Sequence, residues 1–474
     1  MSDVRDGCAG VMPLRGLLEP WQTELTATPD RLADLIELHG SPVNLIDPRP
    51  MGRNIDALRT VAEERGLDLG VYFARKANKC LSLVDEAVRQ GAGVDVASEH
   101  ELSQVLARGV DPGRVILTAA VKPRRLIDRA VAAGVTVSVD NEDELRVLES
   151  TSSEARPRIA MRLAPQAGST RFGLGAGRIR ELALQGGIER GKLQGVHFHL
   201  EGYRAGDRVA ALDEAIWLAD EFAAAGRPLG FVDMGGGVPI SYLESAAEWD
   251  SFWHRHRQGL LGRRHPLTFG GHGLGLAADG DRVLGTPAVY PFHQSPVGGE
   301  WLASVLDATV PGRSATAASA ISDRGLELRC EPGRALLDGC GLTAARVEFR
   351  KRFDERTWLI GLAMNRTQCR STSEDFMVDP LLIRPSGAGA PTEPIGGYLV
   401  GAYCIERELL TWRRLRFPQG AAVGDIVIFV NTAGYLMHIL ESASHQIPLA
   451  RNLVVTEDCA LDPIDEPAFA GVAR

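Results

Sequence analysis

The sequence predicts an α/β chain in which a (β/α)8 TIM-type barrel precedes a C-terminal all-β domain. Three observations predict it. Between about residues 47 and 338, eight short runs rich in Val, Ile and Phe alternate with helical stretches, as buried parallel strands alternate with their crossover helices. Polar residues gather at the C-terminal ends of these runs, the face on which such barrels build their sites. Beyond residue 338 the helical pattern stops and strand-like runs take over.

Taken in order, residues 1–46 form an N-terminal segment with a helix, PDRLADLIELHG (29–40), stopped by Gly40, and the start of a strand, PVNLID (42–47). This segment is expected to pack with the β-domain. The barrel strands are VYFARK (71–76), GVDVAS (93–98), RVILTA (114–119), VTVSVD (135–140), RIAMRLA (158–164), GVHFHLE (195–201), GFVDMGG (230–236) and LELRCE (326–331). The helix after the sixth strand, residues 207–226, is expected to be capped by Asp207 and to end at Gly226.

The connection at 238–325 is far longer than an ordinary loop. It is read as an elaborated βα loop on the active-site face, with Tyr290-Pro291-Phe292-His293 and Trp301 closing over a substrate. Residues 339–474 form the β-domain, a small barrel or sandwich built from LTAARVEFRKRF (342–353), RTWLIGLAM (356–364), PIGGYLVGAYC (394–404) and GDIVIFVNTAGYL (424–436).

Composition narrows the function. The 474 residues carry 52 basic and 61 acidic side chains, a net charge of −9, which argues against a nucleic-acid-coating protein. No apolar run approaches the roughly 18–20 residues of a membrane span, and MSDVRDGCAG lacks a signal-peptide pattern. Seven dispersed cysteines without a CxxC fit reduced thiols and a cytoplasmic location. Only five basic residues are lysine: Lys76, Lys79, Lys122, Lys192 and Lys351. Each is a place to look for chemistry that arginine, always protonated, cannot perform.

The strand ends supply that chemistry. Lys76 closes the first strand, Asp95 and Ser98 the second, and Arg162 the fifth; His197 and His199 lie on the sixth, Asp233 and three glycines on the seventh, and Glu331-Pro332-Gly333-Arg334 on the eighth. DMGGGVP (233–239) is either a tight turn or a row of backbone N–H groups for a phosphate. The HxH pair is a metal pair, a ring stacked on a flat cofactor, or a packed interior histidine. No further ligands stand at convincing spacing, so no metal is expected. Together the residues fit pyridoxal phosphate, which needs a lysine for a Schiff base, donors for phosphate and a charged partner at the pyridine nitrogen.

YFARKANKC (72–80) resembles the lysine segment of the fold-type III pyridoxal-phosphate decarboxylases, the diaminopimelate, ornithine and biosynthetic arginine decarboxylase family. VDVAS, MRL, RFG (171–173), FH, DMGGG, CEPGR, AYC and AGY follow in that family's order, from roughly 45 to 440. The resemblance implies an alanine-racemase-like barrel, an amino-acid decarboxylase activity and a homodimer with shared sites. It implies that Lys76 forms the Schiff base, His199 stacks on the ring and Glu331 pairs with the pyridine nitrogen. Gly235, Gly236, Gly237, Gly333, Arg334 and Tyr435 bind phosphate, Asp95 and Arg162 support the cofactor, and Cys404 from the partner subunit acts near the substrate carbon.

Glu331 is the residue that separates decarboxylase from racemase, since the related racemases place an arginine there. A racemase or epimerase, or an inactive cofactor-binding relative, is the alternative. The departures lie at phosphate and substrate. Leu200-Glu201-Gly202 replaces Val-Gly-Ser, removing a hydroxyl donor. Ile405 follows Cys404 where the family has an acid, leaving Glu406 as a candidate for the substrate's distal amine. Arg384-Pro385 lacks the tyrosine that follows in diaminopimelate enzymes. Arg384 and His293 complete the candidate substrate residues.

Overall fold

The computed structural model describes residues 4–150, 156–166, 170–186, 188, 193–371, 375–390 and 393–466. It divides into two compact units. One comprises Met1–Pro48, Ile240–Ser295 and Leu337–Glu466; the other comprises Arg49–Pro239 and Pro296–Leu336.

The second unit is a closed parallel barrel of eight strands: β1 (Leu69–Ala74), β2 (Gly93–Val96), β3 (Val115–Leu117), β4 (Thr136–Val139), β5 (Arg158–Arg162), β6 (Leu193–His197), β7 (Phe231–Asp233) and β8 (Glu327–Cys330). Each pairs with its sequence neighbour, and β8 closes on β1 through Leu328 opposite Leu69. All eight expected strands are present. They are short, and β2, β3 and β4 are rich in Val, Ile and Thr and buried along their whole length, so their side chains fill the barrel instead of lining a channel.

Several boundaries differ from the sequence reading. β1 ends at Ala74, and Lys76 lies in a single 3₁₀ turn, Arg75–Ala77. β6 ends at His197, so His199 stands in the loop beyond the strand. The helix Ala205–Ala224 has Arg204 at its N-cap; Asp207 lies inside the first turn, where its negative charge still suits the helix dipole.

The expected barrel insertion splits in two. Residues 296–336 stay with the barrel, where the helix Gly298–Leu306 buries Trp301, Leu302, Val305 and Leu306 and packs on the helix Pro50–Glu63. Residues 240–295 belong to the β-rich unit. The physical reason is aromatic burial: Tyr242, Tyr290 and Phe292 pack on one another, and Phe292 reaches Phe376, which meets Phe429. Tyr290 and Phe292 are therefore core residues of that unit, and Trp301 is a barrel residue whose indole N–H donates to Tyr203 O at 2.7 Å. None is placed as a lid.

The β-rich unit is built on a nine-stranded sheet whose spine is the strand Gly341–Asp354. That strand pairs antiparallel with Thr357–Leu362, Ile426–Val430 and the N-terminal strand Val43–Ile46. Val43–Ile46 in turn runs parallel to Arg451–Val454, which ties the N-terminal segment into this sheet. Among the described residues no helix is long and apolar enough to cross a membrane.

Candidate active site

The barrel gathers its polar side chains at the C-terminal ends of the strands. After β1, the Lys76 Nζ sits 2.8 Å from Asp95 Oδ2 on β2. The Asp95 carboxylate is fully buried, while the lysine is about one-third exposed. Thr118, just past β3, donates its hydroxyl to the other Asp95 oxygen, fixing the carboxylate that faces the lysine. On β5, Arg162 lies 3.3 Å from Asp140 and 4.2 Å from the Phe172 ring centroid. Asp140 also accepts from the Gly173 amide. Nearby, Lys122 is completely covered and pairs with Glu144 at 2.9 Å, a second lysine with a specific buried contact.

Across the barrel interior, His197, Asp233 and Glu331 converge. His197 and Asp233 are direct register partners on β6 and β7, and Glu331 follows the last residue of β8. Their ligand-type atoms lie within 4.8 Å of one another, a juxtaposition that residue spacing alone did not reveal. All three side chains are buried, and among the described residues His197 Nε2, Asp233 Oδ2 and both Glu331 carboxyl oxygens find no hydrogen-bond partner outside the trio itself.

Burial pushes the Glu331 carboxyl up to about 8, with the Asp95 charge adding to the rise. Burial also pushes Asp233 up to about 8, reinforced by Glu331. The same desolvation pushes His197 down to about 4, so the imidazole is neutral at physiological pH. Its Nδ1 is 2.7 Å from Ser138 Oγ, and its Nε2 is 3.4 Å from Glu331 Oε2. Either tautomer leaves one proton between Nε2 and Oε2. If Ser138 donates to Nδ1, Nε2 carries the proton; if Nδ1–H donates to Ser138, a protonated Glu331 supplies it.

His199 and the glycines form the next layer. The Gly236 amide donates to His199 Nδ1 at 3.1 Å, which orients the ring and leaves the proton on Nε2. Burial holds this histidine well below its usual range. The Gly235 amide donates to Asp233 Oδ1 at 2.9 Å. Two of the three glycine amides are thus committed within the protein, while among the described residues that of Gly237 has no hydrogen-bond acceptor. Gly235 and Gly237 have φ of 66° and 86°, conformations that favour glycine. Pro332 accepts from the Ala74 amide at 3.3 Å, tying the Glu331-Pro332-Gly333-Arg334 segment to the end of β1.

Lys76, Asp95, Arg162, His199, Gly235, Gly236, Gly237, Glu331, Gly333 and Arg334 therefore all belong to the barrel unit. Cys404, Glu406, Tyr435, His293 and Arg384 belong to the β-rich unit. Cys404 and Glu406 are exposed, and Tyr435 and His293 are half-buried, Tyr435 with φ of 71°. Arg384 is spent on a bidentate pair with the buried Asp425 at 2.7 and 2.8 Å. That pair occupies Nε and Nη2 of Arg384 and holds its guanidinium against the sheet of the β-rich unit.

Sequence reasoning missed Ser138, Thr118 and Arg208. Ser138 carried a signal, a small hydroxyl between two valines in a strand that is otherwise Thr and Val. Arg208, fully buried beside Gly237, carried none among so many arginines.

A parallel (β/α)8 barrel with a carboxylate-paired lysine, an oriented histidine, a glycine turn and a buried glutamate on one rim defines a cofactor-dependent barrel of the pyridoxal type. Comparison with known proteins agrees. The pyridoxal-binding domain of the pyridoxal-dependent decarboxylases matches residues 53–257. An uncharacterized protein of Sinorhizobium fredii, y4yA, is 32% identical over 435 residues, 90% of each chain. The chain belongs to the fold-type III pyridoxal-phosphate-dependent decarboxylase family, as a divergent member.

Solved structures share its fold at low identity. The lysine/ornithine decarboxylase of Vibrio vulnificus superposes with a TM-score of 0.65 at 18% identity, covering 93% of this chain and all of that one. The diaminopimelate decarboxylase of M. jannaschi gives 0.67 at 17%, covering 90% of each. The arginine decarboxylase of Paramecium bursaria Chlorella virus gives 0.63 at 16%, covering 90% and 100%.

Proposed function

We propose that this chain is a pyridoxal-phosphate-dependent decarboxylase that removes the α-carboxylate of an amino acid or amino-acid derivative. The observation that carries the reading is Glu331, a buried acid on the same barrel rim as Lys76 whose carboxyl oxygens find no partner outside the interior trio. An acid buried without partners is costly unless a ligand completes it, and a pyridine nitrogen is such a ligand. The donor set fits the cofactor: Lys76 and Asp95 at its aldehyde, His199 at its ring, Glu331 at its nitrogen, and Gly237, Gly333 and Arg334 at its phosphate.

When bound, the cofactor supplies an electron sink for the charge left as carbon dioxide departs. The chain's own residues prepare that sink. Because Glu331 retains its proton up to about pH 8, it arrives with the proton that the pyridine nitrogen is to share. His197, neutral and pinned by Ser138, holds the carboxyl in place from behind. Asp95 keeps the Lys76 ammonium oriented until that nitrogen is used, and Thr118 holds Asp95 still. Cys404 is read as the acid that returns a proton to the substrate carbon, delivered by a second copy of the chain in a homodimer. Its exposure in the β-rich unit is compatible with that role.

The test is a CO₂-release screen over D- and L-amino acids, including diamino and N-acylated forms, in D₂O. Release of CO₂ with one deuterium at the product α-carbon supports the reading. α-Deuteration with the carboxylate retained would transfer the chain to the racemase class. Lys76→Ala should abolish both the reaction and the absorption band at about 420 nm of the protein-bound cofactor.

A further inference from the structure

We propose that Arg208 is the buried counter-charge of the cofactor phosphate, acting from beneath the glycine turn where this chain lacks a serine hydroxyl. The proposal rests on the pyridoxal-phosphate reading and adds a residue to it. Arg208 lies in the first turns of the helix Ala205–Ala224 and is fully buried. Its Nη2 donates to Leu200 O at 2.9 Å and its Nη1 to Glu201 O at 3.5 Å, while Nε has no partner. Among the described residues no carboxylate pairs with it. The adjacent Asp207 lies 3.9 Å from Arg204 instead.

A guanidinium withdrawn from water beside two carbonyls, with no carboxylate paired to it and only the more distant charge of Asp207 offsetting its burial, is an unfinished electrostatic arrangement. Burial accordingly holds its pKa below the usual arginine range.

Its position says where the anion belongs. A Cβ at Gly237 would collide with Arg208 Nη2, so the cation is packed directly against the glycine whose amide has no acceptor among the described residues. The carbonyls it holds belong to Leu200 and Glu201, the residues that replace the hydroxyl-bearing loop. Glu201 itself is exposed, so its carboxylate faces solvent and does not neutralise the arginine. Full burial means that Arg208 acts as a positioning residue: it pins the loop and projects its charge through the turn, without touching the ligand. A phosphate dianion is the group such a field selects.

The test compares pyridoxal phosphate with pyridoxal, which lacks the phosphate, by absorbance titration of wild type, Arg208→Met and Arg208→Lys. Arg208→Met should weaken pyridoxal phosphate by roughly 10–100-fold and leave pyridoxal within about twofold. Arg208→Lys should keep most of the preference for the phosphorylated form. Equal weakening of both ligands would reduce Arg208 to a structural part and overturn the proposal, as would an unchanged preference in the methionine variant. If Arg208→Met does not fold, ³¹P NMR of the wild-type holoenzyme decides. A phosphate still dianionic below its solution pKa of about 6 supports the buried cation; ordinary titration overturns it. Wild type that binds neither ligand would instead sink the cofactor reading itself.

Discussion

At the scale of single residues, the interior trio of His197, Asp233 and Glu331 stores a pH dependence with a definite sign. Both acids are raised to about 8 in the folded chain, so between about pH 4 and 8 they bind protons that the unfolded chain has released. Their contribution to stability is present at low pH and is lost as pH rises through 8. His197, lowered to about 4, acts in the opposite sense between 4 and 6.5, because there the unfolded chain binds the extra proton. Above 6.5 the histidine is neutral in both states and the acids act alone. The cofactor-free protein should therefore lose melting temperature from pH 6.5 to 8. Glu331→Gln should flatten that slope and raise the melting temperature at pH 8, measured by calorimetry. The same variant should lower the rate of CO₂ release by roughly 10²–10⁴-fold, which separates a functional acid from a structural one. Asp233 keeps its own share of the slope, so it is an undiminished slope in Glu331→Gln that would show the Glu331 proton resides elsewhere.

At the scale of elements, two glycines show how closely the barrel parts are fitted. The helix Gly298–Leu306 crosses the helix Pro50–Glu63 so tightly that a Cβ at Gly299 would lie 2.8 Å from Ala57 O and 3.2 Å from Val61 Cγ2. Since the backbone oxygen cannot rotate away, Gly299→Ala should cost about 1–3 kcal/mol in denaturant unfolding, with cofactor affinity retained. Gly237→Ala combines a left-handed backbone, worth roughly 1–2 kcal/mol, with the collision against Arg208. It should lower stability and cofactor affinity together. The strands themselves were legible because their apolar, β-branched runs are bounded by turns. Their ends were not: GVHFHLE (195–201) continues the strand-like pattern, yet the sixth strand stops at His197. Side-chain pattern records burial, whereas the end of a ladder depends on where a neighbouring strand stops.

At the scale of the whole molecule, the order of elements was readable and the allegiance of the long connection was not. Lys76, His199, Glu331 and the glycine turn were found because a barrel puts strand ends on one rim, whatever lies between them in sequence. The trio needed more, since His197 meets Asp233 only through the register of β6 on β7. The stretch 240–295 looked like a barrel loop because it lies between two barrel strands, and composition cannot say which core its aromatics enter. The structure assigns it to the β-rich unit, where the fully buried Phe292 ring lies 4.9 Å from Tyr242 and 5.8 Å from Phe376. Phe292→Ala should consequently cost about 3–5 kcal/mol, and its damage should be local. Hydrogen exchange resolved by segment should show faster opening in Gly341–Asp354, Leu381–Ile383 and Ile426–Val430, with the barrel strands from Leu69 to Cys330 close to wild type. If the barrel strands lose protection instead, the connection serves the barrel after all. An unchanged exchange pattern would make it a surface ornament, and its aromatic core would then have no energetic role.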